Sequence, residues 1–187
     1  MAGLEISLWF LAVQGSIGAF DTLYYHEWRA RLPALQTAAK KELVLHAGRD
    51  LVYAILFLSL PLFAWRGWFA FVLALLLTIE IVLTSYDFIV EDWVRKPLGG
   101  VYPGERVTHG IMGIVYGLML ANLAPIVYGW WSGSSGFVSL GLQYSPWLKG
   151  ALLMMGGGVL VSGVRDFAAA YALPYSAWPW SKQCRTE

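Results

Sequence analysis

The sequence predicts an all-α polytopic membrane protein with five transmembrane helices, its N-terminus outside and its C-terminus cytoplasmic. Three observations predict it. Of the 187 residues, 58% are hydrophobic and 13% charged, too few polar side chains to clothe a soluble fold. The apolar residues gather into runs that reach or pass the roughly 20 residues needed to cross a hydrocarbon core, and these are far too long for barrel strands. The ten tryptophans mostly flank the runs, as interfacial anchors do.

The first span is expected over 4–25. It has no basic n-region and no clear small-residue cleavage site, so it reads as a retained helix and not a signal peptide. The second is expected over 43–65 and the third over 68–89, with only Arg66-Gly67 between them as a tight helical hairpin. The fourth covers 107–130 and the fifth 150–173, and the whole chain, 1–187, reads as a single helical-bundle domain. The connection over 93–106 contains Pro97, Gly99, Gly100, Pro103 and Gly104 and reads as a structured turn. The stretch 132–149 is polar and glycine-rich, suited to the outer interface.

Charge sets the orientation. Arg29, Arg31, Lys40 and Lys41 occupy the first connection; Arg95, Lys96 and Arg106 the third; Lys182 and Arg185 the tail. The second and fourth connections hold only Arg66 and Lys149. The positive-inside rule then puts the first and third connections and the tail in the cytoplasm of a bacterial inner membrane protein. A net charge of +1 without a basic patch argues against nucleic acid as a partner. The one cysteine, Cys184, has no ligand neighbours and reads as incidental.

This topology brings all three histidines to one face, with most of the acidic residues. Asp21 and His26 close the first span, His46 and Asp50 open the second, and His109 opens the fourth four residues after Glu105. Glu80, Thr84, Asp87 and Glu91 follow at intervals of four, three and four, one polar stripe along the third span. Charges at membrane depth are costly and mark function. Imidazole and carboxylate from several helices suit a metal. The candidate ligands are His46, Asp50, Glu80, Asp87, His109, Asp21, His26 and Glu105. Among them His26, within Tyr25-His26-Glu27-Trp28, reads better as part of an interfacial girdle. Iron is favoured over zinc or manganese. Glu80 and Asp87, with Tyr53 and Tyr116 as proton donors, are the candidate catalytic groups. Of Glu91 and Asp92, which precede Arg95 and Lys96, at least one reads as a surface salt-bridged turn. Arg165, Asp166 and Arg49 form an ion pair or hold a substrate head group.

The function expected from this constellation is a metal-dependent membrane oxidoreductase of hydroxylase or desaturase type. It would act on a membrane lipid or lipophilic small molecule from the cytoplasmic leaflet, with an electron-donor protein as partner. The alternatives are a haem-binding electron carrier using His46 and His109, a proton-coupled transporter using Glu80 and Asp87, and a non-catalytic assembly subunit.

Overall fold

The computed structural model describes residues 2–141 and 144–179. Trp180, Lys182, Cys184 and Arg185 lie outside the described residues, and with them the readings of the tail. Helix α1 (Ala2–Phe20) runs on without a break into a π-helical segment, Asp21–Arg29. The short α2 (Leu32–Leu35) and a 3-10 turn lead to α3 (Lys40–Ser59). Strand β1 (Phe63–Arg66) precedes α4 (Trp68–Arg95); α5 (Pro103–Trp131), strand β2 (Gly136–Ser139) and α6 (Pro146–Ala170) complete the fold.

Four helices are long and apolar enough to cross a membrane: α1 with its π-helical continuation, α4, α5 and α6. Their most apolar windows in α4, α5 and α6 are only 22% buried, so most of their surface is left for lipid. Helix α3 differs. It has 20 residues, but Lys40, Lys41, Glu42, Arg49 and Asp50 dilute its hydropathy. It packs chiefly against α6 and α4 and buries Leu43, Val52, Leu56 and Phe57. An interior helix needs no apolar coat on every side, because neighbouring helices meet it where lipid otherwise would.

The second span is therefore shorter than expected. The helix stops at Ser59, and 63–66 forms a strand instead of two more helical turns. Pro61 lacks an N–H and its ring clashes with a continuing helix. The freed backbone groups are satisfied by antiparallel pairing, Phe63 with Ser139 through Arg66 with Gly136. Phe137 packs against Phe63, Trp65 and Phe69 at this junction. The connection after α5 is thus a structural partner of the one before α4, and Arg66-Gly67 is a strand-to-helix corner, not a helical hairpin. At the other end α4 extends to Arg95 and α5 starts at Pro103, where the Glu105 carboxylate accepts from the Tyr102 N–H at 3.4 Å.

Gly67 makes the corner possible. Its φ of +58° and ψ of −128° suit glycine alone, its N–H donates to the Trp130 carbonyl at 2.9 Å, and an added Cβ would stand 2.7 Å from the Ser135 backbone nitrogen. Gly67→Ala is expected to lower stability by about 1–3 kcal/mol, seen as a lower thermal unfolding midpoint in detergent. An unchanged midpoint would contradict this account of the corner.

Candidate metal centre

One end of the bundle collects the ionisable groups. The π-helical segment, the first turns of α3, the last turns of α4, the first turns of α5 and the end of α6 meet there. Asp21, His26, Glu42, His46, Asp87, Glu91, Arg95, Glu105, His109 and Asp166 are all buried. A carboxylate without solvent needs a hydrogen-bond donor, a cation or a proton.

The π-helix decides the position of His26. In an α-helix, side chains five apart point to different sides. In Asp21–Arg29 the backbone bonds reach one residue further, as Ala30 N–H to Tyr25 C=O at 2.8 Å shows. Residues five apart then stack, and His26 Nε2 comes within 3.4 Å of Asp21 Oδ2. His26 is 8% exposed and lies in the middle of the cluster, so the interfacial-girdle reading of this residue is corrected. Tyr25 is carried over Gly104, where an added Cβ would collide with the phenol oxygen, and this fixes the segment against the start of α5.

The ligand atoms converge closely. His109 Nε2 lies 3.1 Å from Asp21 Oδ2, and His26 Nε2 lies 3.2 Å from Glu105 Oε1. Four ligands at metal distances of about 2.0–2.2 Å in a tetrahedron stand roughly 3.3–3.6 Å apart, so this spacing is close to that of a coordination shell. Two overlapping groups have ligand atoms mutually within 4.8 Å: Asp21, His26 and His109, and Glu91, Glu105 and His109. The His109 ring stands between them, Nε2 facing Asp21 and Nδ1 facing Glu91 at 3.4 Å. Phe88 covers the ring face at 5.1 Å. His46 stacks on His26 at 4.5 Å, with Nε2 3.4 Å from Asp87 and Nδ1 3.6 Å from Asp166.

Positive charge is scarce. Arg95, 1% exposed, donates to both Glu42 oxygens and to Glu105 Oε1. Arg49 Nη1 donates to Asp87 Oδ2 at 2.6 Å. Among the described residues these two guanidiniums face six buried carboxylates: Asp21, Glu42, Asp87, Glu91, Glu105 and Asp166. Asp21 Oδ1, Asp87 Oδ1 and Glu91 Oε2 have no hydrogen-bond partner, and His26 Nε2 and His46 Nε2 lack a well-directed one despite their near carboxylates. Buried oxygens and imidazole nitrogens left without hydrogen-bond partners are what a cation would satisfy.

The remaining predicted residues divide differently from expectation. Glu80 is 2% exposed but stands apart, accepting from Thr84 Oγ at 2.7 Å. Seven residues, roughly 10 Å of helix, separate it from Asp87. Tyr53 and Tyr116 lie beside Glu80 and not at the histidines; their rings meet at 6.3 Å and Tyr116 donates to the Leu77 carbonyl. Asp50 bonds Ser162 and packs on Gly163 of α6. Arg165 and Asp166 do not pair with each other. Arg165 donates to Glu27, Ser176 O and Trp178 O, holding the C-terminal segment to the π-helix, while Asp166 faces His46. Asp92 makes the surface pair with Arg106 at 3.1 Å, whereas Glu91 turns inward.

Two residues of the site, Glu42 and Gln14, lacked a reading in the sequence. Glu42 stands four before His46 and shares its face, a usable signal. Arg95, expected at the cytoplasmic face and, with Arg49 and Arg165, as a cation for some of the carboxylates, is interior and meets Glu42 and Glu105. Gln14 interrupts an apolar run and hydrogen-bonds Tyr53 at 3.1 Å. No family model, curated protein or solved structure matches the chain.

Arg95→Ala strands the Glu42 and Glu105 charges, and its expected cost is about 3–5 kcal/mol, read by thermal or denaturant unfolding in detergent. Arg95→Met combined with Glu42→Gln should recover part of that loss, because an uncompensated carboxylate leaves with the guanidinium. Simple additivity of the two changes would contradict the pairing.

Proposed function

We propose that this integral membrane protein binds a metal ion, iron ahead of zinc or manganese, at Asp21, His26, Glu105 and His109, and uses it for oxidation of a lipophilic substrate. The observation that carries the reading is the chain of close contacts His109 Nε2–Asp21 Oδ2–His26 Nε2–Glu105 Oε1, 3.1–3.4 Å at each step, within two overlapping ligand groups of a buried cluster short of positive charge. Imidazole and carboxylate without thiolate suit borderline and hard ions. Glu91 at His109 Nδ1 would fix the ring's orientation, the usual task of a carboxylate behind a ligating histidine. His46, Asp87 and Asp166 add donors for a second ion in a di-iron variant of the same site.

Dioxygen as oxidant and a donor protein supplying two electrons and two protons would give hydroxylation: one oxygen atom enters a C–H bond and the other leaves as water. The residues of this chain hold the ion, exclude bulk water and move protons along the Asp87–His46–Asp166 string. The distribution of Arg and Lys supports a centre on the cytoplasmic side of a bacterial inner membrane with the N-terminus outside. A haem reading is less well supported, because His109 has carboxylates at both ring nitrogens and His46 lies flat on His26.

Metal analysis of the purified protein tests the reading. At least one iron per chain is expected, with tenfold or greater loss in His109→Ala and in Asp21→Ala, and no loss in Glu80→Ala. Less than one metal per several chains in the unaltered protein would overturn it, and so would equal loss in all three variants.

A further inference from the structure

A cleft of about 320 Å³ runs between α1 and α6, floored by α3. That is near the lower bound of small-molecule sites, roughly 300 Å³. Its lining changes character along its length. Asp21, His26, His46 and Asp166 stand at one end and Gln14, Tyr53 and Phe57 at the other, with Met112, Met155 and Val159 also on the walls. Gln14 on α1 and Asp21 at the start of its π-helical continuation are seven residues apart, roughly 10 Å. Leu23 lies on the lining and is 67% exposed, so the rim is apolar. The cleft therefore joins the metal centre to a surface suited to hydrocarbon.

Two polar groups on this lining are incomplete. Gln14 is 3% exposed; its amide nitrogen donates to Tyr53, but Oε1 has no partner. Arg49 Nε is likewise buried without an acceptor, although Nη1 is held by Asp87. An open acceptor and an open donor are both answered by a hydroxyl group, which donates once and accepts twice. A carboxylate answers only the second. The charge of the lining also rejects an anion: Asp21, Asp50 and Asp166 face one guanidinium, itself paired with Asp87.

We infer that the cleft is the seat of an uncharged lipophilic alcohol or phenol, anchored through its hydroxyl at Gln14 with its apolar body lying along Met155 and Val159 toward Asp21 and His26. The inference deepens the proposed function and rests on it for the fate of the ligand, since the anchor sets the reacting carbon roughly 10 Å from the hydroxyl. Selection is by head group at one end and by reach to the centre at the other. The apolar walls contribute affinity without distinguishing chains of equal length.

The probes are tritiated 1-dodecanol, dodecanoate and dodecylamine, equal in chain length, binding to the protein in zwitterionic nanodiscs. Dodecanol is expected to bind at least tenfold more tightly than dodecanoate. Gly158→Leu fills the cleft, because a Cβ at Gly158 meets nothing within 4 Å, and should abolish dodecanol binding while the fold and the iron content persist. Gln14→Leu removes the acceptor and should weaken dodecanol about tenfold, or about 1.4 kcal/mol, with dodecanoate unaffected. Dodecanoate binding as tightly as dodecanol would overturn the inference, as would tighter binding of dodecylamine or full dodecanol binding in Gly158→Leu. Iron measured on the same samples separates the two ideas: an iron-loaded protein without alcohol preference sinks only the inference, and an iron-free protein that prefers dodecanol sinks only the proposed function.

Discussion

The polar end of this bundle depends on Arg95. A guanidinium with 1% exposure is tolerable only where anions meet it; Glu42 and Glu105 accept from Nε and Nη2 from two different helices, while Nη1 has no hydrogen-bond partner. The triad ties the start of α3, the end of α4 and the start of α5 into one fixed arrangement. Arg95 Nε reaches both Glu42 oxygens and Nη2 lies 2.7 Å from Oε1, which sets direction as well as distance. Glu105 then has one oxygen shared between Arg95 and His26, and the other on the Tyr102 N–H. The same side chain thus caps a helix, neutralises a cation and faces the histidine cluster.

The rest of the cluster follows from a shortage. Once Arg95 serves Glu42 and Glu105, and Arg49 serves Asp87, no guanidinium remains among the described residues for Asp21, Glu91 or Asp166. Their nearest polar neighbours are imidazoles, which have two faces to offer and, when neutral, one proton. A site that brings together more anionic oxygen than its own cations can balance is poised to take up cations from outside. This electrostatic demand and the ligand spacing are independent arguments, and they meet at Asp21. Buried ion pairs of this kind are poor sources of net stability, so their presence in five converging elements fits a functional use of the energy they cost.

Below this centre the membrane interior is not uniformly apolar. Gln14, Tyr53, Glu80 and Tyr116 form a second polar layer, about two helical turns away, joined to the first by Arg49 and by the cleft beside it. The layer explains why Glu80 sits in an otherwise apolar stretch of α4: its polar neighbours come from α3, α4 and α5. The opposite end of the molecule has a different task. There the β1–β2 pair and the Gly67 corner close the chain with backbone hydrogen bonds, and the ionisable groups are few.

The helical membrane class, four of the spanning helices and the gathering of histidines and carboxylates at one end were legible in the residues alone. Hydropathy and helical period are local properties, and the pattern of basic connections fixes which ends of the helices lie together. The sequence also marked Asp21, Asp87, Glu105 and His109 as members of that end. Only the tertiary structure decided the rest. His26 enters the centre because the backbone after Phe20 is π-helical, a change of period that no residue type announces. Glu80 leaves it because depth along α4 outweighs a shared face. Arg95 becomes interior because two carboxylates from distant positions close over it. The second span is cut short because its last residues find a strand partner 70 to 76 residues later. In each case the deciding contact is long-range, and its energy depends on what another segment supplies.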